Sequence, residues 1–392
     1  MRPIAKTALT GLAVVLLAGV AVFFTALPQY AQATMNASRA HPPYSVSKEA
    51  LALHKELFVA DLHADSLLWR RDLSQRSSVG HVDVPRLAEA NVGLQAFTVV
   101  THAPMGQNYA HNTGDSDIVT LLVIAQRWPF ATWTSRLARA RYEAEKLRGF
   151  EEASGHQLMI IRTQQDLRYL QERRRAEPEL VVGFLGLEGG QALEGDLKNV
   201  DVLFDEGFRM MAPVHFYDNE LGGSAHGAQK GGLTDFGREV IRKQEALGLL
   251  VDVAHGSPAL IDDVVAMTTR PLVMSHGGVR GTCDNNRNLT DAHVDAIARS
   301  GGVIGIGLWE TAVCGTDARA TARAMKYVAD RVGVEHVALG SDYDGTVRAP
   351  FDVTGLPLVT EALMAEGFTR EEIALIMGGN TARLLAQTLP KE

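Results

Sequence analysis

The chain has 392 residues, 46% of them hydrophobic and 21% charged, with 38 basic against 46 acidic side chains and a formal charge of −8. That composition is of a folded globular protein and excludes a disordered or collagen-like chain. Net acidity without a basic run offers no electrostatic footprint for nucleic acid or an anionic lipid surface, and neither is expected as a partner.

In chain order the first element is a leader. Arg2 and Lys6 precede an uncharged, mostly apolar run from Thr7 to Leu27, then Pro28 and Ala31-Gln32-Ala33. A basic start, an apolar stretch and small residues two apart follow the order of an export signal, which predicts cleavage after Ala33. An uncleaved membrane anchor is the alternative, because about twenty apolar residues span a bilayer whereas signal cores usually have about 7 to 15. Either way the remainder is expected outside the cytoplasm, in the periplasm or extracellular space, touching a membrane only through a retained leader. Residues 34–50 read as an extension and 51–389 as one domain.

Short apolar runs then alternate with helix-like stretches. Leu57–Leu62, Val92–Thr101, Leu180–Leu187, Phe208–Val214, Gly248–Ala254, Pro271–Ser275, Gly302–Leu308 and His336–Gly340 read as strands, with Leu158–Arg162 a weaker extra run. Continuous rather than alternating apolar runs suit strands buried on both faces of a parallel sheet. Val202–Glu206, Asp235–Leu247, Pro258–Met267, Asp291–Ser300 and Thr321–Val332 read as helices, Thr290 and Asp291 supplying a start signal. Eight strands with helical crossovers predict an α/β, TIM-like (β/α)8 barrel; a doubly wound open sheet is the alternative. The stretch from His102 to Gln157, with Trp128, Trp133, Tyr142 and an Arg/Glu-rich helical pattern, reads as an insertion after strand 2.

The ionisable residues cluster at the ends of these runs. His63 and Asp65 are two apart at the end of strand 1 and point to one side of an extended chain. Glu188 closes strand 3 among glycines, His215 follows strand 4, His255 strand 5, His276 strand 6, and Asp342 and Asp344 strand 8. In a barrel all of these converge on the carboxyl-terminal rim, where such folds place their sites. Singly, each has a bland reading as a hydrogen-bonded or turn residue, and His102 after strand 2 is read that way. Jointly, His63, Asp65, Glu188, His255 and His276 predict a metal site. Imidazole and carboxylate donors without thiolate suit Zn²⁺, with Mn²⁺, Co²⁺ and Fe²⁺ as alternatives. Five ligands suit two ions sharing a bridging carboxylate and a bridging water, whose lowered pKa supplies a hydroxide nucleophile for hydrolysis. The only cysteines, Cys283 and Cys314, allow one bridge or two buried thiols. No Gly-x-Ser-x-Gly elbow, phosphate loop or full dinucleotide glycine motif occurs.

Asp61-Leu62-His63-Ala64-Asp65, Gly186-Leu187-Glu188-Gly189-Gly190, Val251-Asp252-Val253-Ala254-His255, Met274-Ser275-His276, Asn286-Arg287-Asn288 and Gly340-Ser341-Asp342-Tyr343-Asp344-Gly345 occur in order between about Leu51 and Leu389. Together they resemble the motifs of the membrane (renal) dipeptidase family of metallopeptidases. The resemblance implies an amidohydrolase-like barrel enzyme that cleaves dipeptides, L-L and also L-D, with two zinc ions per chain. It implies that His63 and Asp65 hold one ion, that His255 and His276 hold the other, and that Glu188 bridges them. It further implies that His215 polarises the scissile carbonyl, that Arg287 takes the substrate carboxylate, and that Asp342, with Asp344 as competitor, is the acid/base. Cys283 and Cys314 fall where the family has a disulfide. Gln191 and the stretch Asp218-Asn219-Glu220-Leu221-Gly222-Gly223 depart from the animal enzymes, which makes the side-chain pocket the least transferable feature. The alternatives are a binuclear hydrolase of N-acyl amino acids or lactams and a non-catalytic binding protein on the same barrel. A homodimer is left open.

Overall fold

The computed structural model describes residues 3–392; Met1, Arg2 and the side chains before Gly11, including the leader's basic groups, lie outside the described residues. The leader is a helix, Pro3–Met35, with Pro28 inside it. The strands are β1 (Val59–Ala64), β2 (Val92–Val100), β3 (Leu158–Ile160), β4 (Val181–Glu188), β5 (Phe208–Ala212), β6 (Leu250–Val251), β7 (Val273–Met274), β8 (Val303–Ile306) and β9 (Val337–Leu339). All their pairings are parallel. Every residue of β2 and β4 is buried, which is why these strands read as unbroken apolar runs.

The result is an α/β fold with curled parallel sheet. One sheet runs β1-β2-β4-β5-β6, and β7-β8-β9 form a second. The weaker run is a strand, β3, which pairs Val181–Gly183 at the start of β4 while β5 pairs the later stretch Leu185–Glu188. Between the sheets only single parallel bridges run, Asp252↔Val273 and Ala64↔Tyr343, so the expected continuous eight-stranded ladder is interrupted. The interruption has a side-chain cause. Asp252 Oδ1 accepts from Ser275 N at 2.9 Å and from Ala254 N at 3.0 Å, and Asp61 accepts from Ser341 N at 2.8 Å and Ser341 Oγ at 2.7 Å. Carboxylates thus take over backbone donors at both seams.

Helices Asp235–Leu247 and Pro258–Met267 have the expected bounds. The other three are seen as Lys198–Glu206, Asp291–Arg299 and Ala318–Val332. Side-chain oxygens of Thr234, Ser257 and Thr290 accept from first-turn amides, and Asp317 does so for Ala318–Val332, starting that helix earlier than apolar spacing indicates. The insertion after β2 contains helices Ile118–Ala125 and Arg136–Ala153. Buried Arg139 ties it down by donating to Thr101 O at 2.7 Å, Thr132 O at 2.7 Å and Asp117 Oδ2 at 2.6 Å. Val119, Val123 and Trp128 of the insertion pack with Leu68, Trp69 and Val100, and Ala31 of the leader joins them.

Candidate metal centre

The ends of β1, β4, β6 and β7 bring His63, Asp65, Glu188, His255 and His276 into one buried cluster. Glu188 Oε1 lies 2.8 Å from His255 Nε2, 3.2 Å from His276 Nε2 and 3.7 Å from His63 Nε2. His63 Nε2 is also 3.4 Å from Asp65 Oδ1 and 3.9 Å from Asp342 Oδ1. His215 meets the other oxygen of Glu188, with Nε2 3.1 Å from Oε2. Arg287, 4% exposed, donates from Nη2 to His276 O at 2.8 Å and keeps a buried Nε without a partner. His255 and Asp342 hold left-handed backbone, φ 61° at each, which non-glycine residues adopt at a cost and mainly where a site requires it.

These donors fit metal. The buried His63 Nε2 and Glu188 Oε1 have no hydrogen-bond partner, although both face the centre of the cluster. His255 Nε2 and His276 Nε2 point at each other across 3.0 Å. Ligands about 2.0–2.1 Å from a tetrahedral ion stand about 3.3 Å apart, which is the range of the spacings seen here. The charge balance agrees. Burial opposes charge at His63, yet Asp65 and Glu188 outweigh it and lift its pKa to about 10. Burial and the neighbouring Asp65 push Glu188 well above the usual carboxylate range. Burial raises Asp342 to about 8, with His63 opposing and Asp65 reinforcing the shift. Each of these shifts is a response to three carboxylates packed together out of water, a concentration of negative charge that a bound cation would relieve.

The profile of the membrane dipeptidase family, peptidase family M19, matches residues 47–390. The chain belongs to that family. This M19 metallopeptidase is 28% identical over 235 residues to dipeptidase aclJ of Aspergillus oryzae, covering 55% of this chain and 56% of the other. It is 26% identical over 225 residues to dipeptidase 3 of Mus musculus, covering 52% and 44%. The match therefore spans about half the length of these two relatives. Its fold is similar to that of dipeptidase AC, an M19 metallopeptidase (TM-score 0.70, 24% identity, 85% of this chain and 99% of that one). It is also similar to the probable dipeptidase PvdM of Pseudomonas aeruginosa (TM-score 0.72, 19% identity, 88% and 98%). A Rhodobacter sphaeroides metallopeptidase liganded with a phosphinate mimic of L-Ala-D-Ala has TM-score 0.67 and 23% identity, with 85% and 99% covered.

Around the cluster, the metallopeptidase carries supports that motif reading passed over. Thr98 Oγ1 donates to Asp65 Oδ1 at 2.6 Å, and Ser275 Oγ stands 3.3 Å from His63 Nδ1 and 2.9 Å from His276 Nδ1. Such partners orient ligands. Ser275 directly precedes His276, a usable signal; Thr98 lies mid-strand on β2 and has none. Asp344 is fully buried and paired with Arg71, and also accepts from His81 N at 2.7 Å, so it faces away from the cluster that Asp342 faces. His102 is buried against the Tyr217 ring, and its carbonyl lies 3.3 Å from His215 Nδ1. Cys283 and Cys314 are bonded, with Cα atoms 5.2 Å apart. The bridge fastens the loop carrying Arg287 to the segment carrying Trp309, whose ring lies 6.0 Å from the guanidinium.

Proposed function

We propose that this metallopeptidase is an exported, two-zinc dipeptidase that hydrolyses the single peptide bond of dipeptides, L-L and also L-D. The carrying observation is that His63, Asp65, Glu188, His255 and His276, from four strand ends, fall in overlapping buried groups joined through His63 and Glu188, whose partnerless Nε2 and Oε1 face the cluster. The ligand bound to the Rhodobacter protein supports the L-D arm. We read the two sheets as one TIM-like barrel, supported by the bridges at both seams. Residues 51–389 are its single domain and the strand-end cluster its rim.

In this reading His63 and Asp65 would hold one ion and His255 and His276 the other, with Glu188 shared between them. Bound zinc supplies Lewis acidity and makes water ionisable near neutral pH. The chain's own groups do the rest. Arg287 holds the substrate carboxylate, its guanidinium presenting parallel N–H donors to both oxygens. His215 Nε2 faces the carbonyl oxygen that becomes negative. Asp342, a buried carboxylate whose Oδ1 lies 3.9 Å from His63 Nε2, takes a proton from the attacking water and delivers it to the leaving amine.

The test is Glu188→Gln, which removes one charge while keeping shape. Zinc content should fall below two equivalents and kcat/KM on dipeptides by at least ~100-fold, the upper end of what a supporting residue behind a ligand costs. Near-normal turnover in a metal-replete Glu188→Gln sample removes the bridge. A panel of L-L dipeptides, L-D dipeptides and N-acyl amino acids separates this reading from that of a related amide hydrolase.

A further inference from the structure

The catalytic cluster is the floor of a cavity of about 560 Å³ whose walls are out of keeping with a free dipeptide. Glu188, His255, His276, Arg287 and Asp342 line its base, and above them the lining is apolar: Leu68 and Val100 at the strand ends, Ile118 and Leu122 of the insertion, and Leu27 and Ala31 of the leader. The charged ends of a dipeptide gain nothing from an oily wall, and its short side chains cover little of one this extended.

The leader is built into this wall. Pro28, Gln32 and Asn36, spaced four apart on one helix face, are buried against the domain. Thr346 N donates to Asn36 Oδ1 at 3.0 Å, and Arg70 Nη1 to Phe24 O at 3.3 Å. Immediately beyond, Arg39 N and Ala40 N donate to Ala349 O and Pro350 O, each at 2.9 Å. The expected cleavage point after Ala33 thus lies inside a docked helix. Toward the amino terminus the same helix leaves the domain, and from Leu12 to Val22 its leucines and valines are more than half exposed. Arg127 stacks 5.4 Å over Phe24 where the helix departs, putting guanidinium groups at the level of lipid headgroups if the exposed stretch enters a bilayer.

We propose that the leader is retained as an anchor and that its lower half walls a subsite for a long apolar chain, so that the substrate is an N-acylated dipeptide drawn from the membrane surface. The inference rests on the dipeptidase reading above and names its substrate class. Arg287, Asp342 and Thr346 line the same cavity, and Thr346 touches the leader, so a substrate with its carboxylate on Arg287 has the leader's wall within the same space for its amino-side chain. The reaction is hydrolysis. Water oxygen bonds to the carbonyl carbon between the two residues, the C–N bond breaks and its nitrogen takes a proton, leaving an N-acyl amino acid and a free amino acid.

The experiment uses the full-length, zinc-replete protein in detergent, with Ala-D-Ala and N-dodecanoyl-Ala-D-Ala below its micellar concentration. Each buried methylene strengthens binding about fourfold, so kcat/KM for the acylated peptide should exceed that for the free one by at least ~100-fold. Leu27→Glu and Ala31→Glu should each remove at least ~10-fold of that preference while leaving free-dipeptide turnover within about twofold. The intact mass of protein from the membrane fraction should include the leader. Turnover of the free dipeptide without preference for the acylated one, an equal effect of the variants on both substrates, or a chain starting at Thr34 each overturns the inference while the dipeptidase reading stands. No turnover of either substrate removes that reading and this inference with it.

Discussion

Asp342 and Asp344 show how two carboxylates with one residue between them come to different ends. Arg71 and His81 outweigh burial and hold Asp344 below the usual carboxylate range, whereas Asp342 meets the cluster and is pushed up by burial. Both lie on left-handed backbone, φ 62° and 61°, in a turn that sends one side chain inward and the other behind. No spacing rule separates them, because the partners of Asp344 come from the segment Arg71–His81 far away in the chain. Arg287 belongs at the same scale. Its loop carries no sequence signal of its own beyond the family resemblance, yet the guanidinium is buried beside His276 with an unpartnered Nε. Arg287→Ala should raise KM for free-carboxylate dipeptides by about 10-fold or more, since a charge-assisted hydrogen bond contributes about 1.5–3 kcal/mol, and should hardly affect carboxyl-amidated ones. Steady-state kinetics on the matched pair checks this; equal effects on both take Arg287 out of that role.

At the scale of elements, helices were more legible than strands. Asp235–Leu247 and Pro258–Met267 carry their own caps in Thr234 and Ser257, so local sequence sets where each begins. The apolar runs for β6 and β7 promise seven and five residues and yield two each, Leu250–Val251 and Val273–Met274, because Asp252 diverts the backbone donors there. Apolar content records burial, and burial extends past the point where a ladder ends. The disulfide is an element-scale device as well, closing a loop between Cys283 and Cys314, 31 residues apart. Replacing both cysteines by Ala should cost roughly 3–4 kcal/mol of stability on the chain-entropy account and loosen the Arg287 loop against Trp309. Denaturant unfolding of oxidised wild type and the double variant measures the first, and KM for dipeptides the second.

For the whole molecule, the cluster concentrates negative charge where several strands end, so the fold and its ions should be linked. A chelator should lower the unfolding free energy by about 2.7 kcal/mol for each ion removed, relative to zinc held at 100 times its Kd, and zinc should restore it. Calorimetry with and without chelator checks the link; unchanged melting would mean that the cluster holds no ion. The leader matters at this scale too, since the same helix has a face docked on the domain and an exposed apolar stretch.

Local chemistry written along the chain was enough to determine the α/β alternation, the capped helices, the family and the set of His, Asp and Glu residues that meet, because periodicity, caps and motif order are short-range properties. Tertiary structure alone decided that Asp344 turns away while Asp342 turns in, that the sheet is interrupted at two carboxylate-held seams, and that the leader lies beside the cavity above the cluster. Each of those depends on a partner brought from a distant segment, and a partner's position exists only once the chain has closed on itself.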